Sequence, residues 1–121
     1  MLIVMIGGGV GAVTRYLTAN WAAQTYGTGF PYGTLIVNVV GCFVIGIIMT
    51  IVTEKFIVNP YWRLLTVTGF LGGLTTFSSF SYETLKLFGD GQVQYGLYNV
   101  FSNLIFSLLA TWCGMAAAKL V

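Results

Sequence analysis

From Thr34 to Thr53 the chain carries no formal charge. An α-helix needs about 20 apolar residues to cross the hydrocarbon core of a bilayer, so this single stretch is long enough to do it. Three further apolar stretches accompany it, from about Leu2 to the low twenties, from about Tyr61 to Leu87, and from about Val93 to Ala118. Helix breakers separate them: Gly27, Gly29, Pro31 and Gly33 in "YGTGFPYG", then Glu54, Lys55, Asn59 and Pro60, then the "FGDGQ" turn. With 57% hydrophobic and 7% charged residues among 121, the chain is too apolar for a soluble domain. Four crossings with short connections would use nearly all of it. The expectation is one domain over residues 1–121, an all-α integral membrane protein with four transmembrane helices.

Several function classes fall away on the same grounds. A net charge of +2, scattered along the chain, leaves no electrostatic footprint for nucleic acid. "MLIVMIGGGVGAVTRY" has no basic residue ahead of its apolar run, so no cleaved signal peptide is expected. Cys42 and Cys113 each sit within an apolar stretch and read as small buried hydrophobes, not as a disulfide or metal pair. The chain has no histidine, which argues against a transition-metal site. Gly7 and Gly11 form a GxxxG spacing suited to close helix–helix approach. No Walker-type Gly-Lys-Ser/Thr ending follows them, so they need no phosphate.

The polar residues inside the apolar stretches carry the functional information. Arg15 lies well inside the first stretch, where a charge must snorkel, pair or face water. It either reaches the interface from the end of a short first helix, or lines an aqueous vestibule and concentrates anions there. Asn38, in "GTLIVNVVGCFVIG", either joins two helices through its amide or offers N–H donors to an anion. In the fourth stretch Asn99, Ser102, Asn103, Ser107 and Thr111 fall along one side of a helix. That stripe is either helix–helix glue or the wall of a polar pathway, and its length favours the pathway.

"TGFLGGLTTFSSFSYE", Thr68 to Glu83, sets Gly69, Gly72 and Gly73 ahead of Thr75, Thr76, Ser78, Ser79 and Ser81. Glycines weaken a helix and hydroxyls compete for its backbone, so a local break is expected. Unpaired backbone cannot face lipid, which makes such a break an argument for an oligomer that buries it. Freed carbonyl oxygens would be hard ligands for a small cation such as Na⁺. Phe77 and Phe80 share a face if the helix resumes there. They either pack or offer positively polarised ring edges to a small anion. Ser78 and Ser81 have the same spacing and could add hydroxyl donors. Uncharged donors suit conduction, because the ion must leave again.

The motifs "GGGVGAVTRY", "GTLIVNVVGCFVIG" and "GFLGGLTTFSSFSYE" together resemble the Fluc/CrcB-type fluoride channels, in their order and in the four-segment layout, over essentially the whole chain. The third motif is the distinctive one; Ser79 stands where threonine is commoner and keeps the hydroxyl. The resemblance implies a passive, fluoride-selective ion channel that exports fluoride from the cytoplasm, a multi-pass protein of the cell membrane and not an enzyme. It implies an antiparallel, dual-topology homodimer with a broken third helix and two fluoride pores, or, as the alternative assembly, paired non-identical subunits. By the same resemblance Phe77 and Phe80 would be the pore-lining aromatic pair, with Asn38 nearby as a donor. Ser78, Ser81, Ser107 and Thr111 would belong to the polar path, and Arg15 would serve the vestibule. The backbone carbonyls of Gly72 and Thr75, from both subunits, would hold a central structural Na⁺ that is not transported. Glu83 matches the acidic residue after the third motif without an assigned role, and Asn103 has no matched position. Fluoride makes chemical sense as cargo. HF crosses membranes neutral and dissociates in a less acidic cytoplasm, and the inside-negative potential would drive the anion out through a passive conductor.

Two other readings make different demands. A four-helix, dual-topology exporter of cationic drugs needs a carboxylate within the membrane, and of Glu54, Glu83 and Asp90 only Glu83 could lie at depth. A structural subunit using its polar stripe as glue would pass no ions. Lys55, Arg63 and Lys119 lie toward the side of both termini and Lys86 toward the other, too mild a bias to fix a single orientation.

Overall fold

The computed structural model describes residues 1–55 and 59–120; residues 56–58 and 121, and the Lys55 side chain counted above, lie outside the described residues. Helix α1 spans Leu2–Tyr26 and ends at Gly27, whose φ of 84° suits a residue without a β-carbon. Helix α2 spans Tyr32–Thr50 and continues through π-helical turns over Ile51–Lys55. Helix α3, Pro60–Arg63, starts where it does because the Asn59 side chain accepts from the Tyr61 N–H at 3.0 Å and proline opens the first turn. The backbone is then π-helical over Leu64–Leu71 and α-helical again over α4, Gly72–Leu74. Thr75 and Thr76 are extended, with ψ of 155° and 124°, and α5 covers Phe77–Gly89. Gly91, at φ 80°, turns the chain into α6, Val93–Lys119. The described residues contain no strand.

Among the described residues, three helical spans are long and apolar enough to cross a membrane: Leu2–Tyr26, Tyr32–Glu54 and Val93–Lys119. The third apolar stretch, from about Tyr61 to Leu87, is divided at Thr75–Thr76 into two helical pieces, neither long enough to cross alone.

Small residues set the close crossings. α1 packs along the π-helical stretch and α4, α2 along α6, and α5 rests on α6. A β-carbon on Gly11 would run into the Phe70 carbonyl, and one on Gly73 into that of Gly8. The first and third stretches therefore touch backbone to backbone, as the Gly7–Gly11 spacing anticipates. At the α2–α6 crossing, β-carbons on Gly46 and Gly114 would meet the carbonyls of Thr111 and Phe43.

The inward-facing apolar set is small: Val37, Leu71 and Leu74, with Val44, Ile45, Ile48 and Phe70 packed against them. Large apolar side chains from Leu2 and Met5 to Phe106 and Trp112 face outward, which lipid as solvent permits and water does not. Both cysteines are unpaired, but they are not the buried residues expected: Cys42 is half-buried and Cys113 exposed. An apolar thiol gains little by hiding from lipid. Trp21, Tyr26, Phe30, Tyr32, Tyr95 and Tyr98 gather at one end of the bundle with ring centroids 4.9–6.4 Å apart. Such amphipathic rings belong at headgroup depth.

Candidate functional site

The extended pair Thr75–Thr76 brings two helix ends together. On the α4 side, the Thr75 N–H and its hydroxyl both donate to the Leu71 carbonyl, at 3.0 and 2.9 Å. Arg15 Nε donates to the Gly73 carbonyl at 3.1 Å. Among the described residues no side chain donates to the carbonyls of Gly72 or Thr75. On the α5 side, Thr76 is the N-cap: its Oγ1 accepts from the Ser79 N–H at 3.0 Å and stands 3.3 Å from Ser78 Oγ. The carbonyl end of a helix bears partial negative charge and the N–H end partial positive charge. One side of the pair therefore suits a cation and the other an anion.

Asn38 holds this pair from α2. Its Oδ1 accepts from the Thr76 N–H at 2.9 Å, and its Nδ2 donates to the Thr76 carbonyl at 3.1 Å. The second Nδ2 hydrogen goes to Asn103 Oδ1, also at 3.1 Å. Asn103 Nδ2 in turn donates to the Asn99 carbonyl and to Asn99 Oδ1, both at 2.9 Å. Asn38 thus joins helices, with both amide hydrogens engaged.

A groove of about 400 Å³ lies beside the pair and collects Asn38, Gly72, Thr75, Phe77, Phe80 and Ser107, with apolar walls from Ile45, Val67 and Leu71. The two phenyl rings lie 5.4 Å apart with planes inclined at 58°. Phe80 is 9% exposed and Phe77 75%, so one ring is buttressed and the other stands at the surface. A second cleft, about 530 Å³, holds Arg15, Ser78 and Glu83 and shares Thr76 with the first. In it Glu83 Oε1 accepts from the Thr34 hydroxyl at 2.6 Å.

The expected pathway residues are therefore only partly brought together. Ser81 is exposed and borders neither cavity, and neither does the half-buried Thr111. The stripe on α6 divides as it drifts round the helix. Asn99 turns inward, Asn103 is buried at the edge of the groove that Ser107 also borders, and Ser102 faces the ring cluster with Tyr95 and Tyr98. Sequence reasoning gave no role to Thr34 or Thr84, and took Thr76 only as one of the hydroxyls that weaken the helix, not as the cap of the next one. For Thr76 a signal existed, a hydroxyl residue three before Ser79 at a helix start; for Thr34 and Thr84 none did.

A profile of the family described as "CrcB-like protein, Camphor Resistance (CrcB)" matches residues 2–115. A protein of Solibacter usitatus named fluoride-specific ion channel FluC is 45% identical over 118 residues, covering 98% of this chain and 97% of its own. Proteins of the same name from Rhizobium etli and a Sulfurihydrogenibium species are 46% identical over 118 residues and 42% over 120. Those matches cover 98% and 99% of this chain, and 94% and 97% of the respective relatives.

Proposed function

The chain belongs to the CrcB family, and on that premise we propose that it is a fluoride-selective ion channel, a multi-pass membrane protein that conducts passively and is not an enzyme. The observation that carries the reading is the Phe77–Phe80 pair at the start of α5, beside the groove that also holds Asn38 and Ser107. An anion there would meet ring edges, a hydroxyl and the partial positive charge of a helix N-terminus, with no charged side chain in the groove to trap it. The relatives' name supplies the ion. Arg15 would draw anions into the second cleft, where Ser78 lies, and Ser81, Ser107 and Thr111 would extend the polar path. With the inside negative, a passive pore exports fluoride from the cytoplasm.

The carbonyls of Gly72 and Thr75 fit a structural Na⁺, which would supply fixed positive charge at the helix ends. They are hard oxygen donors at the negative end of a helix and meet no side-chain donor among the described residues, whereas Arg15 and Asn38 occupy the carbonyls of Gly73 and Thr76. Two carbonyls leave Na⁺ short of ligands, so a second copy of the chain would provide the rest. This supports an antiparallel, dual-topology homodimer in which the third stretch is the fourth crossing and its extended pair is buried from lipid at the dimer centre. Paired non-identical subunits are the alternative assembly.

Fluoride efflux from liposomes containing only this purified protein, read by a fluoride electrode with valinomycin carrying K⁺, tests the reading. Rapid fluoride release with little chloride release is the expected result. Folded protein that releases neither ion would reject the pore as a property of this chain alone.

A further inference from the structure

The inward part of the α6 stripe forms, with Thr84, a chain of hydrogen bonds that all run in one direction. The Thr76 N–H donates to Asn38 Oδ1, Asn38 Nδ2 to Asn103 Oδ1, and Asn103 Nδ2 to Asn99 Oδ1. Asn99 Nδ2 then donates to Thr84 Oγ1 at 2.9 Å, and the Thr84 hydroxyl to the Phe80 carbonyl at 2.7 Å. The path leaves α5 at its N-cap, crosses α2 and α6, and returns to α5 at Phe80. Its two ends therefore bracket the single helical turn that carries Phe77, Ser78, Ser79 and Phe80.

Each amide orientation follows from its neighbour. Both hydrogens on Asn103 Nδ2 go to Asn99, so Asn103 must present its oxygen to Asn38. Asn38 must then present Nδ2 to Asn103, which leaves its oxygen for the Thr76 N–H. Asn99 is 0% exposed, and Asn103 and Thr84 are 6% exposed. No buried side-chain nitrogen or oxygen among the described residues lacks a partner. Hydrogen bonds aligned head to tail in a low-dielectric interior reinforce one another, and losing one member strands the rest.

From this geometry we infer that Asn99, Asn103 and Thr84 are positioning residues, a strut that fixes the Phe77–Phe80 turn against α2 and α6, and not ligands of the conducted ion. Asn103 has no spare hydrogen to give an anion, and reaching one would mean breaking a bond the strut depends on. Ser107, one turn further along α6, borders the same groove as Asn103 but makes none of the strut's bonds, and is where the stripe passes from strut to pathway. The inference rests on the channel reading for its functional part and on the hydrogen bonds alone for its structural part.

The test uses the full-length protein in liposomes with three variants. Thr84→Val removes the bond to Phe80 and the acceptor for Asn99; Asn103→Leu cuts the chain at its middle; Thr84→Ser keeps the hydroxyl. Two readouts are taken on protein that elutes like wild type, so a folding failure in one breaking variant leaves the other. They are amide hydrogen exchange across residues 76–80 and fluoride efflux. Thr84→Val and Asn103→Leu should each speed exchange and slow efflux by about tenfold. Thr84→Ser should restore both toward wild type. Unchanged exchange in the breaking variants overturns the strut. Slower efflux with unchanged exchange would make these side chains ion ligands instead, and faster exchange with normal efflux would show that the turn need not be held for conduction. Wild-type protein that passes no fluoride fails the channel reading separately, and the exchange comparison still decides whether the strut holds the turn.

Discussion

Phe77 and Phe80 are three residues apart and differ in burial almost as far as two rings can, 75% against 9% exposed. Replacing each with isoleucine should therefore separate function from stability. Both changes are expected to reduce fluoride efflux. Phe80→Ile should also lower stability by about 1 kcal/mol, since a buried ring leaves a partial cavity, while Phe77→Ile should melt like wild type. Normal efflux in both would remove the rings from the pore. Arg15 calls for a different measurement. Its Nε is engaged with the Gly73 carbonyl, yet its side chain borders the second cleft. Arg15→Gln should cut efflux more at low ionic strength than at high, because attraction into a wet cleft is screened over about 10 Å at 0.1 M salt. An equal loss at all salt concentrations would assign Arg15 to holding the Gly73 carbonyl alone. At this scale the spacing of the phenylalanines and the isolation of Arg15 were legible from the chain itself. The division of labour within the α6 stripe was not. Helical period tells which residues share a side, but not which neighbour each meets: Asn103 and Ser107 border the same groove, and Asn103 is the one bonded to Asn38 and Asn99.

Among the elements, the third stretch is where local propensity and tertiary packing part company. Its glycines suggest weakened helix, yet Gly72 and Gly73 lie in helical backbone and the extended residues are Thr75 and Thr76. The physical reason lies in the neighbours. Gly73 is needed for the approach of α1, where a β-carbon would strike the Gly8 carbonyl. The extended backbone at Thr76 is held by Asn38, which takes both the N–H and the carbonyl. Glycine content thus marked the right region for a second cause, close packing. The crossing can be tested at Gly11. Gly11→Ala places a methyl against the Phe70 carbonyl and should destabilise the protein by about 1–3 kcal/mol, read as an earlier thermal transition in detergent. A neutral result would mean that α1 can slide outward without loss. Gly9, whose β-carbon would meet nothing within 4 Å, is the matched control.

For the whole molecule, the small inward-facing apolar set and the many outward-facing side chains identify lipid, not water, as the solvent, and this much could be read from composition. Assembly could not, because no residue type declares which lipid-like face meets a second copy. Replacing Na⁺ with a large organic cation gives the sharpest test at this scale. If carbonyls of Gly72 and Thr75 from two copies share the ion, the exchange should weaken the dimer or slow efflux. Indifference in both mass and efflux would reject the carbonyl site.

The helix lengths reach further. At about 1.5 Å per residue, the 25 residues of α1 and the 27 of α6 extend roughly 37 and 40 Å, against about 30 Å of hydrocarbon. Helices longer than the hydrocarbon is thick lean, kink or thicken the lipid around them, and packing against neighbouring helices decides which. The part of the third stretch before Thr75 is tied to α1 by glycine contacts between backbones, whereas α5 meets α6 through the Phe88 ring over Gly96. A tilt of α1 would therefore reach the helix end at Leu74 directly and the one at Phe77 across the extended pair.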